Sequence, residues 1–245
     1  MFFLAHHDTI KFDTIYHNKI PPSFTGFKLF FIADIHRRHI KESTLSKIES
    51  VNLVLIGGDF LERGVPLERV KKNILKLKRW GAPIYFVWGN NDYETDTDKL
   101  IQILQEENVC ILEDSVIPIS YKNVKINIVG FQYYKDYEQQ PAIHWEKIED
   151  VYTILLTHKP NSFYGLNKTI RKKIDLVLAG HTHGGQIRIF GVGPYRKGGL
   201  SQYKNTNIFV TEGYGYTLLP FRLQTKAQCH IITLFHSPKN NSIDD

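Results

Sequence analysis

Cysteine is nearly absent. The two in the 245-residue chain, Cys110 and Cys229, stand far apart in apolar contexts, which is no basis for a disulfide framework and points to free thiols in a reducing compartment. No stretch approaches the roughly 20 apolar residues that a membrane-spanning helix needs. The opening MFFLAHHDTIKF has no basic leader, no adequate apolar core and no small-x-small cleavage pattern. The expectation is therefore a cytoplasmic protein, with peripheral membrane contact through the first apolar residues left open. Repeats and linkers are missing too, so one domain over 1–236 is expected, followed by a flexible tail at 237–245.

With 42% hydrophobic and 23% charged residues, the composition excludes a disordered chain. The 31 basic and 25 acidic residues leave a net charge of +6, a mild bias toward anionic partners. Basic clusters at RVKKNILKLKR and at 171–173 flank expected helices, where Lys and Arg ordinarily face water. No nucleic-acid reading module stands out, so nucleic acid is not the favoured partner.

Alternating apolar residues at Phe2–His6 and Ile10–Tyr16 predict an edge hairpin leading to a buried strand at Lys28–Ala33. A short helix at 43–50 and a strand at Asn52–Ile56 follow. Pro66 suits the first turn of a helix that runs to Trp80 with Gly81 as its C-cap; Val70, Ile74, Leu75 and Leu77 form its apolar stripe. After a strand at Ile84–Val87, Asp96 caps a helix to about Glu107. Further strands are expected at Val116–Ser120, Val124–Phe131, Thr153–Leu156, Leu176–Ala179, Ile187–Phe190, Asn207–Thr211 and His230–Phe235, with one helix around Ile143–Ile148. So many strands exceed one doubly wound sheet. The α/β fold expected is a four-layer α-β-β-α sandwich, two stacked mixed sheets with helices outside.

Metal-ligand residue types gather where the apolar runs stop: Asp34 and His36 in ADIH, Asp59 in GGDF, Asn90 in GNND, His158 in LTHKP, and His181 and His183 in AGHTHGG. Strand ends are where open α/β sheets bind ligands. An extended backbone would put both side chains of Asp-x-His, or of His-x-His, on one face. Carboxylates and amide oxygens suit hard divalent ions, and imidazole suits Mn, Fe, Co or Zn. With no cysteine nearby, the set reads as a catalytic rather than a structural metal site.

In order and spacing these motifs resemble the calcineurin-like metallophosphoesterase superfamily, whose pattern is D-x-H, G-D, G-N-H-[D/E], a later His and G-H-x-H. GHTHGGQ at 180–186 and TEGYGYTLLPFRL at 211–223 look like its branch of small bacterial phosphoesterases. The resemblance implies a bimetallic phosphoester hydrolase. One ion would be held by Asp34, His36, Asp59 and His183, the other by Asp59, Asn90, His158 and His181. Asp59 would bridge through its two oxygens, and a metal-bridging hydroxide would attack phosphorus. Two divalent ions are implied, Mn²⁺ first, with Fe, Zn, Co or Ni as alternatives. Asp59, Asn91 and His183 are the catalytic candidates, and Asp92 would orient a ligand or a neighbouring histidine.

The chain departs from the pattern at Asn91, where the family carries His. An amide can donate a hydrogen bond but is no general acid near neutral pH. His39 and His144 are the alternative proton donors, Arg37 and Arg38 the candidate phosphate clamp, and Tyr214, Tyr216 and Phe221 the candidate rim. A phosphodiester or pyrophosphate is the expected small substrate; a nuclease, a phosphomonoesterase and a non-catalytic binding protein on this fold are the alternatives.

Overall fold

The structure, a computed structural model, describes residues 1–136, 139 and 141–238. Most of the expected tail, 239–245, lies outside the described residues. β2 (Phe27–Ile32) shows how the layers arise. Its run FKLFFI is apolar on both faces, the mark of a strand covered on both sides. Phe30 and Ile32 turn toward one helical layer, whereas Leu29 and Phe31 turn toward a second sheet.

Among the described residues each sheet has six strands. The first is ordered β1 (Asp8–His17), β12 (Ala227–His236), β2, β3 (Leu53–Ile56), β4 (Ile84–Phe86), β5 (Val109–Ile111). The second runs β10 (Gly199–Tyr203), β11 (Thr206–Val210), β9 (Leu176–Ala179), β8 (Thr153–Thr157), β7 (Val124–Gly130), β6 (Ser115–Tyr121). Both are mixed: β2 to β5 are parallel while β12 runs antiparallel to β2, and β7, β8, β9 and β11 are parallel between antiparallel edges. Three apolar cores separate the four layers. One lies under the helices α3 (Leu67–Leu77) and α4 (Thr97–Glu106), one between the sheets, and one outside the second sheet around Phe163 and Trp145. The expected α-β-β-α sandwich is what forms.

Two helix ends follow their sequence signals. Asp96 accepts the amide of Lys99 at 3.2 Å, and Gly81 closes the other helix at a left-handed φ of 63°. On α3 the buried Asn73 binds outward from the core edge, accepting Ile40 N and donating to Arg38 O. It pins the loop that follows β2.

Three elements differ from expectation. Phe2–His6 is a short helix, α1, and not one arm of a hairpin. Phe2 meets His6 and Phe3 meets His7, the i,i+4 spacing of a helix, so the apolar alternation misleads there. Ile187–Phe190 forms only isolated bridges to Leu223 and Val192; Arg188 satisfies Gly184 O and Tyr195 O in place of a ladder. The expected helix at 143–148 is a single 3₁₀ turn, Trp145–Lys147. β5 and β10 escape the sequence pattern because each is short and lacks a clear alternation.

Ile154 is fully buried between the sheets. Ile154→Ala is expected to destabilise the metal-free protein by about 2–5 kcal/mol in urea unfolding; a loss below about 1 kcal/mol would contradict a close-packed sheet interface.

Candidate metal centre

The motifs lie just beyond the carboxyl ends of β2, β3, β4, β8 and β9, at one end of the two stacked sheets. Backbone hydrogen bonds lace the ends together. Asp34 N donates to Gly58 O (3.0 Å), Ile35 N and His36 N both donate to Asp59 O, and Gly180 N donates to His158 O. His181 N reaches both carboxylate oxygens of Asp34 at 3.0 and 3.1 Å, linking one sheet to the other.

The backbone here is not extended. Asp34, His36, Asp59, His181 and His183 all have positive φ, between 50° and 71°. Side chains of Asp-x-His and His-x-His therefore converge through left-handed turns, not through strand alternation, and non-glycine residues adopt such turns only under constraint. Two glycines make room. Gly58 has φ 82° and a Cβ there would sit 2.8 Å from His158 Nδ1; a Cβ on Gly89 would collide with the Asp59 carboxylate.

Donor atoms of the buried residues Asp34, His36 and His183 come within 4.8 Å of one another, as do those of Asp59, His158 and His181. His36 Nε2 lies 3.1 Å from His183 Nε2, and His158 Nε2 lies 3.0 Å from His181 Nδ1 and 3.2 Å from Asn90 Oδ1. These nitrogens and oxygens converge closely enough to share a cation, and oxygen and imidazole donors fit divalent metal ions. Asp59 stands between the clusters. Its Oδ1 accepts Asn91 N at 2.8 Å, while Oδ2 faces His158 Nε2 at 3.3 Å and His36 Nε2 at 3.8 Å. Oδ2 thus addresses both groups, and Asp59 lies where a carboxylate shared between two ions would have to lie.

Neighbouring groups orient the imidazoles. Gly57 O lies 2.9 Å from His158 Nδ1 and Glu62 Oε2 lies 3.1 Å from His36 Nδ1. A His158 Nδ1 proton given to Gly57 O leaves Nε2 free to ligate, and the Glu62 carboxylate stands within ion-pair reach of His36 Nδ1 on the side away from the cluster. Burial pulls the His158 pKa down, but the charges of Asp59 and Asp34 more than offset this and raise it to about 9. Burial and the His158 charge lower His181 to about 4. Burial, His36 and Arg222 hold His183 well below its usual range. Asp34 is pushed up to about 6 by burial, against the attraction of His158.

Asp92 acts on the candidate ligand Asp59 through the backbone and, among the described residues, makes no side-chain bond to a histidine. Its carboxylate accepts the backbone amides of Asp59, Phe60, Leu61 and Gly89, so it ties the turns after β3 and β4 together. Asn91 Oδ1 accepts Asn90 Nδ2 at 2.8 Å, which turns Asn90 Oδ1 toward the cluster. Arg38 is a correction: its guanidinium is buried over the Tyr214 ring and bound to Asp8 and to Tyr214 O, so it cannot clamp phosphate. Tyr214 is likewise core and not rim. Arg37 stays half exposed beside Glu62. Tyr216 meets His6, and Phe221 is half-buried. His39 and His144 are exposed, the latter paired with Glu146.

Sequence reasoning missed Glu62 and Arg222. Glu62 lies three residues beyond Asp59, with no motif to mark it. Arg222, fully buried, donates to Glu212 O and Gly215 O and approaches His183 Nδ1 at 3.2 Å.

A metal-dependent phosphoester hydrolase is the class that this fold and donor set define. Residues 27–185 match the model of the calcineurin-like phosphoesterase family, and the chain belongs to that family. Relatives include the uncharacterized protein YpbG of Bacillus subtilis, 40% identical over 213 residues covering 84% of this chain and 80% of that one. Phosphodiesterase YaeI of Escherichia coli is 26% identical over 228 residues, covering 85% and 82%. Among solved structures, the phosphopantetheinyl hydrolase PptH of Mycobacterium tuberculosis shares the fold, with a TM-score of 0.52 at 13% identity over 79% of this chain and 91% of that one.

If Glu62 fixes the His36 ring, Glu62→Ala should weaken Mn²⁺ binding in calorimetry by about 10- to 100-fold with the fold intact. Unchanged affinity would leave Glu62 with no part in the centre.

Proposed function

We propose that the protein hydrolyses phosphodiesters or pyrophosphates with two divalent metal ions, Mn²⁺ being the preferred pair. The observation that carries this reading is the placement of Asp59 Oδ2 between two donor clusters. Asp34, His36 and His183 would hold one ion and Asn90, His158 and His181 the other, with Asp59 shared. Bound there, such ions polarise phosphoryl oxygens and lower the pKa of water.

The chain's own residues do the rest. Asn91 N–H holds Asp59 Oδ1, so the other oxygen keeps its aim. Asn91 Oδ1 braces Asn90, making it a positioning residue for the second ion. Arg37, at the surface, is the cation available to a phosphate oxygen. Position 91 supplies no proton, because an amide does not titrate near neutral pH. The leaving group must depart without an imidazolium at that position, which favours aryl phosphates, diesters and pyrophosphates over alkyl monophosphates. The name of the relative YaeI agrees with a diester substrate.

A Mn²⁺-loaded panel tests this. Turnover of bis-p-nitrophenyl phosphate and of a nucleotide-sugar pyrophosphate should exceed that of an alkyl monophosphate, and Asn91→His should raise the last by up to about 10²-fold. Preference for alkyl monophosphates in the native enzyme, with no change in Asn91→His, would overturn the leaving-group argument.

A further inference from the structure

Two loops that leave the metal centre end in large apolar side chains standing in solvent. Phe190 is 95% and Leu218 is 92% exposed. Each also sits at positive φ, 49° and 60°, a conformation that bulky residues adopt only under constraint. Ile189, Val192 and Leu219 beside them are exposed as well, so the tips belong to a concentration of apolar surface and are not scattered single residues.

The two tips belong to one surface. Gln186 joins their loops, donating to Thr217 O at 3.0 Å and accepting Thr217 N at 2.8 Å. Gly191 N donates to Gln224 Oε1 at 2.8 Å, and Leu223 N donates to Gln186 O at 3.1 Å. The short helix α1 adjoins the same loops, through Arg222 N to Met1 O and the contact of His6 with Tyr216, and leaves Phe2 and Phe3 exposed. Both loops are rooted in the centre: Gln186 N donates to His183 O, and Gly215 N donates to Asp34 O.

Charge narrows the partner. Residues 1–7, 184–211 and 213–226 contain no Asp or Glu, yet they carry Arg196, Lys197 and Lys226 in exposed positions. The acids at the borders of these segments, Asp8 and Glu212, have buried side chains, so exposed apolar tips and exposed cations complement an anionic lipid surface, where tips enter the acyl boundary and cations meet headgroup phosphates.

We propose that this face docks on anionic lipid bilayers through Phe190 and Leu218. Its corollary, that the centre acts on phosphoesters presented at the bilayer surface, rests on the hydrolase reading above.

Co-sedimentation with phosphatidylcholine vesicles containing about a third phosphatidylglycerol, and with phosphatidylcholine alone, tests the docking. The full chain should bind the anionic vesicles and scarcely the neutral ones. The double variant Phe190→Ser/Leu218→Ser should lose about tenfold in partitioning per residue, with thermal unfolding and turnover of soluble bis-p-nitrophenyl phosphate unchanged. Asp59→Asn should bind vesicles normally while losing turnover, which separates failure of the docking from failure of the hydrolase reading. No binding to anionic vesicles, equal binding to both kinds, or binding that the double variant retains would overturn the proposal. So would a concentration-dependent dimer abolished by the double variant, which would assign the face to a second copy of the chain.

Discussion

Every polar group of Asp59 is engaged, and the centre is organised around that residue. Its amide nitrogen is held by Asp92, its carbonyl oxygen accepts the amides of Ile35 and His36, and its Oδ1 accepts Asn91 N. Its Oδ2 faces the two imidazole groups. The turns after β2, β3 and β4 are thus fixed relative to one another by hydrogen bonds to one residue and its neighbour Asp92. A carboxylate buried this deeply is tolerated because His158 and His36 oppose the effect of burial and keep its pKa below the usual range.

Backbone conformation at the strand ends is the second constraint. Five of the residues that face the clusters occupy left-handed φ, a conformation costing of order 1–3 kcal/mol each in non-glycine residues. The surrounding lattice of amide bonds from Gly58, Asp59, His158 and Asp34 holds them there. Strain of this kind belongs to a site shaped in advance for its ligand, and divalent ions binding only to the folded chain would in turn stabilise it.

The layered fold was readable because strands covered on both faces have continuous apolar runs, such as FKLFFI and LVLI, and because each polar motif begins where such a run stops. The gathering of Asp34, Asp59, His158 and His183 was legible for the same reason. What could not be read was conformational. Left-handed turns at Asp34 and His183 leave no compositional trace. Glu62 and Arg222 act through distance in space and not through spacing in the chain. Arg37 and Arg38 are adjacent and identical in type, yet one reaches the surface beside Glu62 and the other is locked under Tyr214 by Asp8. The helix at Phe2–His6 shows the same limit: five residues fit an alternating and a helical apolar pattern equally well.

Anomalous diffraction from crystals soaked in Mn²⁺ would test the shared-oxygen arrangement directly. Two peaks are predicted, one among Asp34, His36 and His183 and the other among Asn90, His158 and His181, both in contact with Asp59 Oδ2. A single peak, or two ions bound to different Asp59 oxygens with Asn91 N released from Oδ1, would contradict it.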